Sequence, residues 1–159
     1  MKTHSPTPAA PDETASYAQD GLTAEFYRGR QDAVSDQAVI ILGGSDGNFK
    51  TTQQFAAAFA DHGLNTLALP YYGQPHLPKD LAQIPVETVE TAAGWLHRRG
   101  FTRIGIWGIS MGAQLALLAA SLIPAIGRVA AVSPLDVCVQ GLQVSPRKRL
   151  LDCSAFTWR

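Results

Sequence analysis

At 159 residues with 46% hydrophobic side chains, the chain has material for one domain with a buried core. Thirteen basic residues balance thirteen acidic ones without a long block of either sign, so charge implies neither a nucleic acid nor an anionic membrane as partner. No apolar run reaches membrane-spanning length and the first fifteen residues lack the apolar centre of a signal peptide, which points to a cytoplasmic protein.

Residues Met1 to about Tyr17 are polar and rich in Pro, Thr and Ala, and read as a flexible leader, with the domain occupying residues 18–159. Leu22 to Tyr27 alternates apolar and polar side chains, the period of a half-buried strand near a sheet edge. Ala38-Val39-Ile40-Ile41-Leu42 is continuously apolar, as a strand covered on both faces must be. It stops at Gly43-Gly44-Ser45-Asp46-Gly47, a turn that lets backbone N–H groups approach a ligand, although a simple tight turn into a helix is the plainer reading.

Thr51 to His62 reads as a helix with Phe55 and Phe59 on one face, closed by Gly63. Leu64 to Leu69 returns as a strand, and Tyr71 to Pro78 forms a Pro/Gly/aromatic loop on the ligand side of the sheet. Pro85 opens the next helix, with Val86, Val89, Ala93 and Leu96 as its buried stripe, and Gly100 closes it. Strand and helix alternate throughout, which predicts an α/β fold with a doubly wound, mostly parallel sheet.

The stretch from Arg103 to Ala120 carries the chemistry. A short apolar run ends in Gly108-Ile109-Ser110-Met111-Gly112 and passes at once into an Ala/Leu-rich helix, the strand, sharp turn and helix of a nucleophile elbow. Two residues without side chains let the backbone bend tightly and expose the Ser110 hydroxyl. The Met111 N–H, at the first turn of the helix, is then a candidate oxyanion donor. Gly44, in the glycine turn after the earlier strand, is the candidate second donor. Arg128 to Ser133 is the last readable strand, and Arg147-Lys148-Arg149 reads as a solvated loop. Cys138 and Cys153 lack metal-ligand spacing and read as reduced structural residues, so no metal and no cofactor is expected.

With these motifs in place the chain resembles an α/β-hydrolase, and more narrowly the C-terminal catalytic domain of acyl-CoA thioesterases and bile acid-CoA:amino acid N-acyltransferases. The resemblance covers roughly residues 21 to 159. It is carried by Leu42 to Gly47, Leu67 to Gly73, Leu77-Pro78 with Ile84 to Glu87, and Gly108 to Gly112. It implies that Ser110 attacks an acyl thioester or ester, and that water or an amine then takes the acyl group. Serine at this position leans toward hydrolysis.

In that fold the acid and histidine follow the nucleophile, whereas His4, His62, His76 and His97 all precede Ser110. His76 alone lies on the ligand-side loop, and Asp136 follows the last readable strand as a candidate acid. The expectation is a partial hydrolase domain lacking its last strands and helices, with acid and base beyond Arg159. Its outer strand would then be an unpaired edge inviting self-association. Two competing readings stand beside the thioesterase-like serine hydrolase: a non-catalytic remnant or binding module, and a dienelactone-hydrolase-like carboxylesterase.

Overall fold

An apolar strand with no polar face needs cover on both sides, and the computed structural model, which describes residues 9–30, 36–135 and 156–157, supplies it. The elements in chain order are β1 (Glu13–Ala15), α1 (Tyr17–Asp20), β2 (Ala24–Tyr27), β3 (Gln37–Leu42), α2 (Phe49–Asp61), β4 (Thr66–Ala68), β5 (Ile84–Pro85), α3 (Glu87–Arg98), β6 (Arg103–Ile109), α4 (Met111–Leu122), β7 (Ile126–Val132) and β8 (Phe156–Thr157). Six strands form one sheet in the order β1-β2-β4-β3-β6-β7. The four strands β4, β3, β6 and β7 are parallel, whereas β2 runs antiparallel to β4 and β1 antiparallel to β2. β5 and β8 form a separate short parallel pair.

The pleat of β3 sends alternate side chains to opposite faces. Ile40 and Leu42 join Val89, Trp95 and Leu96 of α3 and Leu115 and Ala119 of α4 in the larger core cluster. Ile41, with Val39 beside it, packs instead against Ala56, Ala57 and Ala60 of α2. Phe55 and Phe59, four residues apart, both reach the indole of Trp107, with ring centroids 5.0 and 5.3 Å away. Helices therefore lie on both faces of a mostly parallel sheet, the doubly wound arrangement.

Three local expectations are adjusted. Glu13–Ala15, assigned by composition to a flexible leader, pairs with β2 as an outer strand, because Ala15 finds a fully buried place in the larger cluster. Pro85 does not open a helix. It belongs to β5, and α3 begins at Glu87 after its N-cap Val86, whose carbonyl accepts from the Val89 and Glu90 N–H groups at 2.9 and 3.4 Å. The helix expected from Thr51 starts two residues sooner, at Phe49, because the Asn48 side chain accepts a hydrogen bond from the Lys50 N–H and caps it there.

Among the described residues the sheet face shared with α2 is only partly covered. Beside α2 a groove of about 950 Å³ runs over β3, β6 and β7, lined in part by Phe59, Trp107, Val129 and Ala130. Among the described residues β7 has no strand partner on its outer side, and Val129 and Val132 are exposed.

Trp95 ties the N-terminal segment to this core. The indole is fully buried, lies 6.1 Å from the Phe26 ring, donates its N–H to Asp20 at 3.1 Å and carries the Arg99 guanidinium 3.4 Å above its face. Replacing Trp95 with Ala removes these contacts together and leaves a cavity. It should cost about 3–5 kcal/mol, read as a lowered urea midpoint at unchanged slope.

Candidate active site

β6 ends at Ile109 and α4 begins at Met111, so the whole change from strand to helix falls on Ser110. Its backbone has φ 54° and ψ −119°, a positive-φ conformation outside the left-handed helical region that costs a serine roughly 1–3 kcal/mol. Neighbours hold it there. The Ser110 N–H donates to the Val132 carbonyl at 2.9 Å, and the Ser110 carbonyl accepts from the N–H groups of Ala113 and Gln114 at 3.0 and 3.2 Å.

The two glycines of the motif are required by contact rather than by their own dihedral angles. A Cβ on Gly108 would lie 2.5 Å from the Gly112 carbonyl carbon and 2.7 Å from the Ala113 nitrogen. A Cβ on Gly112 would overlap the Gly43 carbonyl oxygen and approach the Leu42 carbonyl carbon to 3.0 Å. The first turn of α4 thus lies directly on the end of β3. The elbow and the glycine turn, distant in the chain, meet backbone to backbone.

Gly44 is the residue this contact brings to Ser110. A Cβ built on Gly44 would stand 3.7 Å from the Ser110 Cβ and 3.7 Å from the Ile109 carbonyl oxygen. Met111, the first residue of α4, is buried, and its N–H belongs to the helical turn whose donors have no intrahelical acceptor. All three site residues expected from the sequence, Ser110, Met111 and Gly44, therefore gather at the C-terminal ends of β3 and β6.

Sequence reasoning gave no role to Tyr71, which follows β4. Its hydroxyl donates to the Gly43 carbonyl at 2.8 Å and the Gly44 carbonyl at 3.2 Å. Burial, then the neighbouring Tyr72 and Asp46, push the Tyr71 phenol well above its ordinary pKa. Tyr72 is raised as well, chiefly by burial and then by Asp46. The Tyr72 ring lies under Gly47, where a Cβ would stand 3.2 Å away. A small pocket of about 20 Å³, room for about one water, is lined in part by this turn and the two tyrosines.

No described histidine is hydrogen-bonded to Ser110. His62 is exposed at the end of α2, with Nδ1 2.8 Å from the Ala58 carbonyl, and His97 is exposed in the last turn of α3. His76 is exposed too, and its ring stacks on Tyr17 at 4.8 Å and 7°. His4, Asp136, Cys138, Cys153 and Arg147-Lys148-Arg149 lie outside the described residues. Among the described residues no cluster of three or more His, Cys, Asp or Glu is arranged to hold a metal ion, and no helix is long and apolar enough to cross a membrane. None of Ser110, Met111 and Gly44 lines the large groove beside α2, so that groove is a separate feature.

No family profile matches the chain. Over 71 residues it is 38% identical to the peroxisomal succinyl-coenzyme A thioesterase of Mus musculus, a match covering 43% of this chain and 17% of that protein. Over 107 residues it is 33% identical to the mitochondrial acyl-coenzyme A thioesterase 2 of Rattus norvegicus, covering 61% of this chain and 23% of that protein. The chain thus spans about a fifth of the length of these curated relatives. Among solved structures, an α/β-hydrolase from Penicillium superposes with a TM-score of 0.55 at 19% identity, covering 74% of this chain and 43% of that one. A Klebsiella pneumoniae protein assigned to the dienelactone hydrolases superposes with a TM-score of 0.59 at 18% identity, covering 86% of this chain and 65% of that one. The parallel sheet, the elbow after β6 and these superpositions together identify the architecture: the chain has the α/β-hydrolase fold.

Proposed function

We propose that this chain carries the nucleophile and oxyanion hole of a serine hydrolase acting on an acyl thioester or ester. The observation that carries the reading is the strained Ser110, held between strand and helix by backbone contacts that only glycine permits at positions 108 and 112. Backbone strain of this kind is retained where the surrounding structure over-determines it, and it clusters at functional sites.

In the reaction the Ser110 Oγ forms a bond to the acyl carbon while the carbonyl π electrons move onto oxygen. The Met111 and Gly44 N–H groups stabilise that oxyanion. Collapse of the intermediate expels the thiolate or alkoxide and leaves an acyl-enzyme, which water then hydrolyses. The hydroxyl proton passes to a general base during attack and from it to the departing thiolate or alkoxide. Among the described residues no histidine is in hydrogen-bonding contact with Ser110 to take it.

A thioester substrate is favoured by local similarity to the two acyl-coenzyme A thioesterases. The second reading, an oxygen-ester hydrolase of dienelactone-hydrolase type, is favoured by the more complete superposition on the Klebsiella protein.

Three outcomes test these readings. A fluorophosphonate probe should form a covalent adduct at Ser110, located by mass spectrometry, and Ser110→Ala should abolish it. Adduct that persists in the variant would remove Ser110 from the mechanism. If the substrate is a thioester, kcat/KM for an acyl-CoA should exceed that for a matched oxygen ester, and equal or reversed preference would favour the dienelactone-hydrolase reading. Steady-state turnover by residues 1–159 alone should stay near background. Loss of a triad member leaves only ~10³ to 10⁴-fold catalysis over water, contributed by the oxyanion hole and binding. Robust Ser110-dependent turnover by this chain would show that one of its own residues serves as base.

A further inference from the structure

Two consecutive glycines make a poor scaffold for an oxyanion donor, because each is free to rotate through regions closed to other residues. Something must hold the Gly43-Gly44 turn in one arrangement if its N–H groups are to be ready before charge develops. Two contacts act on it. The Gly43 carbonyl oxygen lies against α4, where a Cβ on Gly112 would overlap it, and the same oxygen accepts the Tyr71 hydroxyl proton at 2.8 Å. The Gly44 carbonyl oxygen lies 3.2 Å from that hydroxyl.

We infer that Tyr71 is a positioning residue for the oxyanion hole, its hydroxyl gripping the Gly43 and Gly44 carbonyls so that the N–H groups of Gly44 and Ser45 are presented on the opposite side. The inference rests on the serine-hydrolase reading above. Its geometry follows from the peptide bond. The described chain has no cis peptide, and in a trans peptide the C=O and N–H of one unit point in opposite directions. Holding the Gly43 carbonyl toward Tyr71 turns the Gly44 N–H away from it, and holding the Gly44 carbonyl does the same for the Ser45 N–H. Successive N–H groups facing one way form an anion-binding concavity.

Tyr71 is itself well fixed. The Leu69 N–H donates to the Ile41 carbonyl at 3.1 Å, Pro70 follows with its restricted φ, and the Tyr71 ring is 2% exposed and lies 5.2 Å from that of Tyr72. Burial disfavours the phenolate, so the hydroxyl stays a donor across the pH range in which esters are assayed.

The test compares the full chain with its Tyr71→Phe variant in the rate of Ser110 phosphonylation by a fluorophosphonate, measured against probe concentration. Catalysis that survives without a base comes from the oxyanion hole and binding, so this single-turnover reaction reports the hole directly. Tyr71→Phe should lower the limiting rate about 10- to 100-fold, less than or comparable to deleting a donor outright, with little change in half-saturating probe. The Gly44 and Ser45 amide resonances should shift or broaden. Incorporating 4-aminophenylalanine at position 71, which restores a donor, should recover most of the rate. If the phenylalanine variant does not fold, 4-fluorophenylalanine, close to tyrosine in size but without a donor, replaces it.

An unchanged limiting rate in the donor-free variant, with wild-type Ser110 labelled, would overturn the positioning role alone. A loss confined to half-saturation, or one that 4-aminophenylalanine leaves uncorrected, would assign Tyr71 to packing and overturn it as well. A wild-type Ser110 phosphonylated no faster than the other serines of the chain would show that no oxyanion hole acts on it, and would overturn the hydrolase reading and the inference with it.

Discussion

Everything at the candidate site depends on one close approach of backbone to backbone. Gly112, in the first turn of α4, lies against the carbonyls of Leu42 and Gly43 at the end of β3, and Gly108 lies against Gly112. No side chain fits between them. That exclusion sets the distance between helix and sheet, places the strained turn of Ser110 beside Gly44, and leaves the Gly43 carbonyl caught between α4 and the Tyr71 hydroxyl. A methyl group at position 112 would have to push α4 away from β3, which would separate Ser110 from Gly44, the proposed nucleophile from one proposed oxyanion donor, while leaving both residues intact.

The surrounding sheet provides what so strained a contact needs. β3 and β6 are neighbouring parallel strands in register from Gln37 with Arg103 to Leu42 with Gly108, so their C-terminal ends reach the same level. Ligand sites of open α/β sheets form outside the carboxyl ends of the strands, and here both the glycine turn and the elbow emerge at that edge. The core beneath is tightly covered on the α3 and α4 face by Trp95, Leu96 and Leu115. The opposite face carries α2 and then opens into the groove beside Trp107. The candidate site thus lies over the well-covered part of the sheet, apart from that groove.

Much of this was legible in the chain because local pattern and tertiary role agree. A run such as Ala38 to Leu42 has no polar face, so it demands a central strand, and the interval between Gly108 and Gly112 spans one strand-to-helix turn. The less legible parts are those whose cause is distant. Glu13–Ala15 is a strand because β2 offers it an edge and a pocket for Ala15, which composition does not reveal. Pro85 looks like a helix start by itself, yet it pairs in β5 with a segment more than sixty residues away. Tyr71 reads as one aromatic in a Pro/Gly loop, and its bond to the glycine turn becomes visible only once β4 is set beside β3. His76, the sole histidine that chain order set on the ligand side, is engaged by stacking on Tyr17, a contact no motif encodes.

The central claim is that Ser110, Met111 and Gly44 form one preorganised centre for a developing oxyanion. The most direct measurement is a crystal structure of the chain after phosphonylation of Ser110. The account predicts a phosphoryl oxygen about 2.7–3.1 Å from both the Met111 and Gly44 nitrogens, with the Gly43-Gly44 turn unmoved. An adduct whose phosphoryl oxygen faces solvent, or is held by neither N–H, would contradict it.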